Sequence, residues 1–456
     1  MPQSAIDRVA RAFAPGHLGE LSALVPVELV DEVLARHRAT EQRVRLLPSR
    51  VVVYLLVAGA LFAGLGWQQV WDRLVAGLGH VDSCPSRTAI ALALRRVGPG
   101  PLRSLFEVLA CPAPGSTRWR GLLVCALDGT VTSVPDSPAN TIRYVKQRGG
   151  PTGGGSYPGL RLVALVACGT RTLIDATFGP TTTGETVYAQ VLTRSLHAGM
   201  LLLADRGLSS AALVAAAHAR GAHVLVRART AAANGPALPV TRALDDGSWL
   251  SMLGATRVRV IDAQITSATT AATTTSHYRL VTTLLDPRTH PADQLAGLYH
   301  QRWQVETAYL ELKSTILGGR VLRARTPDGI EQEVYALLIA YQALRTAIGR
   351  RDHHHRDPAR PRQLHDRAER RTRPDHRQPA RRRHRSPDRT ARRDRRRGHR
   401  TTTASNPPPH ERPHRQTSDL QVQRPRPQHR PQDLQDHPDH HDLDKTDAHL
   451  TSRHCP

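Results

Sequence analysis

Two runs of purely apolar residues, each closed by an aspartate, set the frame for this chain. Leu122-Leu-Val-Cys-Ala-Leu127 leads into Asp128-Gly-Thr130, and Met200-Leu-Leu-Leu-Ala204 leads into Asp205-Arg-Gly207. Apolar runs of this length, bounded by turn residues, read as buried strands. Between them, Leu160-Arg-Leu-Val-Ala-Leu-Val-Ala167, a Cys168-Gly-Thr turn and Arg171-Thr-Leu-Ile-Asp-Ala-Thr-Phe178 read as a hairpin, and Gly184 to Leu196 reads as a helix. Beyond Asp205 come an alanine-rich helix and a further strand, His223-Val-Leu-Val-Arg227.

Strand, hairpin, helix, strand, helix, strand is the order of a ribonuclease H-like α/β sheet. In that arrangement the first and fourth strands lie side by side and parallel. Asp128 and Asp205 each terminate an apolar strand, so both are expected at the carboxyl end of the sheet, where α/β sites form. Two carboxylates brought that close repel one another unless a divalent cation sits between them. Either aspartate alone is also explained as an ordinary strand-ending turn residue. Other acids fit less well, since Glu185 suits the first turn of a helix and Asp175 lies mid-strand.

A third carboxylate comes from Tyr299-His-Gln-Arg-Trp-Gln-Val-Glu-Thr-Ala-Tyr-Leu-Glu-Leu-Lys313, which contains no glycine or proline and reads as a helix. At roughly 100° per residue, Tyr299, Arg302, Glu306 and Lys313 fall within about 60° of one another on one face. Leu298, Val305, Leu312 and Ile316 form a separate stripe suited to packing on a sheet, and Glu311 points to another side. By itself this ridge is a surface charge network with i,i+4 spacing. Joined to the two aspartates, Glu306 completes a set of three acids, and three carboxylates holding two magnesium ions suit in-line displacement at phosphodiesters.

Charge narrows the partner. The 456 residues carry a formal net charge of +24, which favours a polyanion, nucleic acid before membrane. About half of that surplus lies beyond position 350. Five cysteines, an odd number with no C-x-x-C pair, point to a reducing cytosol and away from a zinc module. There is no basic-then-apolar leader at the N-terminus. The apolar stretch Val51 to Trp67 is shorter than the roughly 20 residues of a spanning helix and holds three glycines, so it reads as a buried core helix with no membrane role. The first hundred residues repeat apolar positions at helical spacing. Within them Ser86 is placed to cap a short basic helix, either the recognition helix of a helix-turn-helix or a plain surface helix. Pro99, Pro101, Pro112 and Pro114 bracket a linker-like region.

Asp128-Gly-Thr, Asp205-Arg-Gly and Tyr299-x2-Arg302-x3-Glu306-x6-Lys313 together resemble the signature of bacterial DDE transposases of the insertion-sequence-4 family. The likeness covers about residues 15 to 350. It implies a metal-binding triad of Asp128, Asp205 and Glu306, with Tyr299, Arg302, Lys313 and also Arg206 contacting transposon-end phosphates. It further implies two magnesium ions per site, manganese substituting, and double-stranded DNA as partner, at both element ends and target. A homodimer in the DNA complex and a cytoplasmic, nucleoid-associated location are expected. Family members insert a β-rich domain between the second aspartate and the glutamate, and strand-like Arg257-Val-Arg-Val-Ile261 and His277-Tyr-Arg-Leu-Val-Thr-Thr283 agree. The expected architecture is α/β: a helical N-terminal domain over 1–115 and a ribonuclease H-like core over 116–209 and 291–350. A β-rich insertion over 210–290 interrupts that core, and a disordered tail over 351–456 follows it. A non-catalytic DNA-binding regulator and a stand-alone nuclease are the alternatives.

Past about Arg350 the composition turns to arginine, histidine, proline and aspartate, which cannot offset the entropy of ordering. His353-His-His355 and Arg381-Arg-Arg383 invite readings as metal or nucleic-acid arms. The preferred reading is translation in the wrong frame of a guanine- and cytosine-rich gene, which leaves open whether this copy is active.

Overall fold

The computed structural model of the chain describes residues 18–41, 43, 45, 47–76, 84–146, 157–229, 236–268, 273–356 and 418–421. Six helices come first: α1 (Leu18–Leu24), α2 (Val27–Arg36), α3 (Ser49–Leu61), α4 (Trp67–Leu74), α5 (Arg87–Val97) and α6 (Gly100–Leu109). Helix α3 is the apolar run read as a core helix, and it is buried almost throughout. Ser86 caps α5 as expected, its hydroxyl accepting from the Ala89 amide at 3.2 Å. No described helix is long and apolar enough to cross a membrane.

The strands that follow join one sheet. They are β1 (Arg118–Trp119), β2 (Leu122–Ser133), β3 (Gly159–Ala167), β4 (Leu173–Pro180), β5 (Met200–Ala204), β6 (His223–Arg227), β7 (Arg242–Ala243), β8 (Trp249–Leu253), β9 (Thr256–Ala268), β10 (Thr273–Thr282) and β11 (Ser418–Gln421). Their order across the sheet is β4-β3-β2-β5-β6-β10-β9-β8-β7, with β1 beside β2 and β11 beside β9. Strands β2, β3 and β4 form an antiparallel meander. Strand β5 pairs in parallel with both β2 and β6, so the first and fourth apolar strands are neighbours, as their order in the chain suggested.

Three features differ from expectation. The proline-bracketed stretch read as linker-like holds α6 (Gly100–Leu109), because Pro101 falls in its first turn, where a missing amide costs nothing, and Leu102, Leu105 and Phe106 are buried. Strand β2 does not stop at Asp128: it runs on to Ser133, paired with β3 to its end, and only its parallel pairing with β5 stops, at Leu127 opposite Ala204. The polar half survives as strand because β3 continues to satisfy its backbone groups. The strands of the β-rich segment are also not set apart, since β10 pairs with β6 and carries the core sheet onward through β9 and β8.

Helices cover both faces. On one side α8 (Glu185–Leu192) and α9 (Ala211–Ala219) bury Tyr188, Ala189, Leu192, Leu213, Val214 and Ala217 against the sheet. On the other lie the N-terminal helices together with α10 (Ala292–Tyr299), α11 (Trp303–Leu310) and α12 (Pro327–Arg356). Short α7 (Pro138–Arg143) follows β2. Two glutamines of α12 tie it to the N-terminal helices. Gln332 donates to the carbonyls of Leu94 and Gly98, and Gln342 donates to those of Leu109 and Cys111 while accepting from the Leu173 amide. Arg323 adds bonds to the carbonyls of Gly59 and Phe62 at the end of α3.

Helix α12 extends to Arg356, a few residues past the point where the apolar pattern fades. The expectations of a disordered, out-of-frame tail fall on residues 357–417 and 422–456, and that for Arg381 to Arg383 falls within the first of these. All lie outside the described residues. The described pieces of the tail are residues 351–356, which end α12, and the four-residue strand β11.

Candidate active site

The register of β2 against β5 brings two acids together. Leu127 lies opposite Ala204 in the parallel pair, so Asp128 and Asp205 are the next residues along adjacent strands. After Ala204 the chain leaves the sheet through extended Asp205 into a short 3-10 turn, Arg206–Leu208. Asp205 is half-buried, Arg206 is exposed, and the Asp205 carboxylate has no hydrogen bond or ion pair among the described residues.

The third acid comes from a helical segment whose winding changes along its length. Helix α10 passes through a 3-10 turn at His300–Arg302 into α11, and this opens into a π turn over Glu311–Ile316. The backbone thus stays helical across the Tyr299–Lys313 stretch, but with two irregular turns that a uniform 100° step does not describe. In the π turn the Leu317 amide reaches the Leu312 carbonyl at 3.0 Å. Gly318 and Gly319, both with positive φ, then end the helix. Leu298, Val305 and Leu312 are buried as expected, and Glu311 points away, pairing with Arg171 at 2.9 Å.

Two tyrosines of this segment pin the two strands. Tyr299 donates to the carbonyl oxygen of Ala204 at 3.3 Å, next to Asp205. Tyr309 donates to the carbonyl oxygen of Asp128 at 2.5 Å and accepts from the amide of Ala164 at 2.9 Å. Asp128 and Ala164 face each other across β2 and β3, so the phenol stands inside the ladder at the site itself. Nothing in the spacing of Tyr309 signalled this role, which depends on the helix crossing the sheet at that point.

Arg302 sits among the acids. One guanidinium nitrogen, Nη1, is 2.9 Å from Glu306 Oε1 and 3.7 Å from Asp128 Oδ2. Burial alone would lower the arginine's pKa, but Tyr299, Asp205 and Glu306 outweigh it and hold the group above its ordinary value. Arg302 is 6% exposed and Tyr299 4%. Both were expected to reach a DNA backbone, and in this structure both face inward, because the ridge they share lies against the strand ends as well as the apolar stripe does. Lys313 is half-buried and donates to Thr130 at 3.3 Å, two residues beyond Asp128.

Asp128 is an uneasy anion. Burial pushes its carboxyl up to about 6, the Gly129 amide at 2.9 Å draws it back, Glu185 pushes it higher, Arg302 lowers it and Glu306 raises it again. Glu185, set aside in the sequence as a helix first-turn acid, is therefore near enough to act on the Asp128 carboxyl. The other rival, Asp175, is not: it is buried and holds Arg194 through two hydrogen bonds and Ser195 through a third.

The donor set suits a divalent cation. Asp128, Asp205 and Glu306 offer only hard oxygen donors, and of their carboxylates Asp205 is unpaired and Asp128 poorly compensated. As the side chains stand, no three metal-binding groups among the described residues are close enough to hold an ion. The Arg302 guanidinium, between Glu306 and Asp128, supplies the compensating positive charge.

The chain is similar to known transposases. Residues 15–107 match the family model described as insertion element 4 transposase N-terminal, and residues 119–343 match that of the transposase DDE domain. The chain is 27% identical over 356 residues to the transposase InsG for insertion sequence element IS4 of Escherichia coli K12, covering 75% of this chain and 79% of InsG. It is 28% identical over 189 residues to InsZ of the same organism, covering 40% of this chain and 61% of InsZ. Among solved structures, the piggyBac transposase synaptic complex with hairpin DNA matches at 13% identity with a TM-score of 0.41, over 75% of this chain and 77% of that one.

Proposed function

This chain belongs to the insertion element 4 family of DDE transposases, and from that premise we propose that Asp128, Asp205 and Glu306 are its metal-binding catalytic triad. A transposase of this class is a DNA-binding, DNA-cleaving nucleotidyl-transfer enzyme that uses divalent metal ions. The regulator and stand-alone nuclease alternatives are not favoured by the family match. The observation that carries the triad is the parallel register of Leu127 with Ala204, beside which Arg302 draws Glu306 to the same place.

Magnesium, or manganese in its place, is the proposed ion, two per site, and it supplies an activated nucleophile and charge stabilisation at the phosphodiester. The strand order β4-β3-β2-β5-β6 supports reading this part of the chain as a ribonuclease H-like core. We read 1–115 as the helical N-terminal domain, 116–209 and 291–350 as the core, 210–290 as a β-rich insertion fused to the core sheet, and 351–456 as a tail, of which residues 351–356 continue α12 and β11 pairs with β9. The substrates are double-stranded element ends and target DNA, handled by cut-and-paste transfer in a homodimer within the cytoplasm, at the nucleoid.

Each residue then has a task set by its place. Tyr309 and Tyr299 hold the strands that carry Asp128 and Asp205. Arg302 compensates Glu306 and Asp128 until a cation does so, and it and Tyr299 meet a DNA phosphate only if the Arg302–Glu306 pair opens. Lys313 and the exposed Arg206 flank the acids and are the cations placed to meet phosphate oxygens. The test is cleavage of an element-end duplex with magnesium. Asp128→Asn, Asp205→Asn and Glu306→Gln should each abolish cleavage while leaving duplex binding largely intact. Normal cleavage by any one of them breaks the assignment.

A further inference from the structure

Gly129 follows Asp128 in the middle of β2, paired with Val163, and its backbone is not in the left-handed region that calls for glycine. Space explains it better. A Cβ at this position would sit 2.6 Å from Oε1 of Glu185 and 2.8 Å from its Cδ, closer than real side chains approach. The Glu185 carboxylate therefore leans over the strand beside Asp128, into room that a side chain at 129 would take by pushing the glutamate aside.

The loop that delivers Glu185 is braced. Arg161 donates to the Thr183 carbonyl at 2.6 Å and to that of Thr181 at 3.4 Å, just ahead of Gly184 and the first turn of α8. That cation is occupied by backbone oxygens. Glu185 itself, half-buried, has no hydrogen bond or ion pair among the described residues. The charged groups gathered about Asp128 are Glu185, Glu306 and Arg302, and Arg302 is 2.9 Å from Glu306. A helix-capping acid gains from the dipole of its own helix, but that role needs no clearance over a neighbouring strand.

We propose that Glu185 is a fourth carboxylate of the metal site, held against Asp128 by the absence of a side chain at Gly129. The inference rests on reading Asp128 as a metal ligand. About Asp128 lie Glu185 and Glu306 with one buried arginine to balance them, and a divalent cation would balance what Arg302 cannot. Glu185 serves the cation beside Asp128, either directly or through bound water, and so helps determine how tightly the full set of ions is held.

The experiment measures Mn2+ binding to the full-length protein near neutral pH, following the free ion by electron paramagnetic resonance. Glu185→Gln keeps the shape of the side chain and removes its charge, and it should weaken Mn2+ binding by about tenfold or more. Its melting midpoint in EDTA should equal or exceed that of the wild type, because like charges are no longer forced together. Gly129→Ala should weaken binding in the same direction by displacing the carboxylate. Wild-type Mn2+ affinity in Glu185→Gln overturns the proposal, as does a lower melting midpoint in EDTA, which would make Glu185 a structural acid. Asp128→Asn separates the two levels: if it too binds Mn2+ normally, the site is misplaced altogether, and if it alone loses binding, Asp128 stands and Glu185 does not.

Discussion

The phenol of Tyr309 lies between Asp128 and Ala164, donating to the carbonyl of the first at 2.5 Å while the amide of the second donates to it at 2.9 Å. A helix side chain thus bridges β2 and β3 at the first acid of the proposed triad. Tyr299 repeats the device at Ala204, beside Asp205. Both acids are positioned through their backbones; the Asp205 carboxylate has no hydrogen bond or ion pair among the described residues, whereas that of Asp128 accepts from the Gly129 amide and lies 3.7 Å from Arg302 Nη1.

Tyr309→Phe removes that bridge and strands two buried backbone groups. Each unsatisfied group costs about 1–3 kcal/mol, so the variant should lose stability within or somewhat above that range in urea unfolding. Cleavage should fall further than stability explains when both are measured where the variant is fully folded. An unchanged unfolding midpoint contradicts this account of the phenol.

Asp128 makes the metal-free protein sensitive to pH. Its folded carboxyl titrates near 6, against an ordinary value of 3.8, so between those values the folded chain keeps a proton that the unfolded chain has released. Folding is favoured by this group below about pH 4, that contribution is lost as pH rises to about 6, and it stays lost above. In EDTA, unfolding free energy should decline across that window by about 3 kcal/mol, and Asp128→Asn should flatten the decline. A contribution from this site that rises with pH over the same window would rule out a raised Asp128.

The cations divide by burial. Lys313→Ala and Arg206→Ala should each lower the slope of log affinity against log salt by about one, as the loss of one phosphate contact does. Arg302→Ala should leave that slope unchanged, because its guanidinium is held by Glu306 inside the protein. Equal slope changes for all three would place Arg302 on the DNA, as the spacing of the helix alone suggests.

Much of this arrangement was legible in the residues. Unbroken apolar runs ending at Asp128 and Asp205 specified neighbouring strands, and Val305 and Leu312 marked the buried stripe of the helix. What was hidden depends on the third dimension. A glutamate in the first turn of a helix has a sufficient local explanation, so Glu185 gave no sign that its helix crosses over Gly129. A helical wheel treats Tyr299 and Arg302 as one exposed ridge and cannot show that strand ends lie against it. The π turn at Glu311–Ile316 and the pairing of β10 with β6 likewise follow from contacts distant in sequence.

The central claim, that Asp128, Asp205 and Glu306 share one ion-binding site, can be tested by putting a reporter ion there. Fe2+ replacing magnesium, with ascorbate and peroxide added, generates oxidants that cut the polypeptide beside the bound metal, and mass spectrometry of the fragments locates the cuts. The account predicts cuts clustered around residues 128, 205 and 306, suppressed by excess magnesium and lost in Asp128→Asn. Cuts confined to other parts of the chain, or a pattern indifferent to both magnesium and the Asp128 substitution, would contradict it.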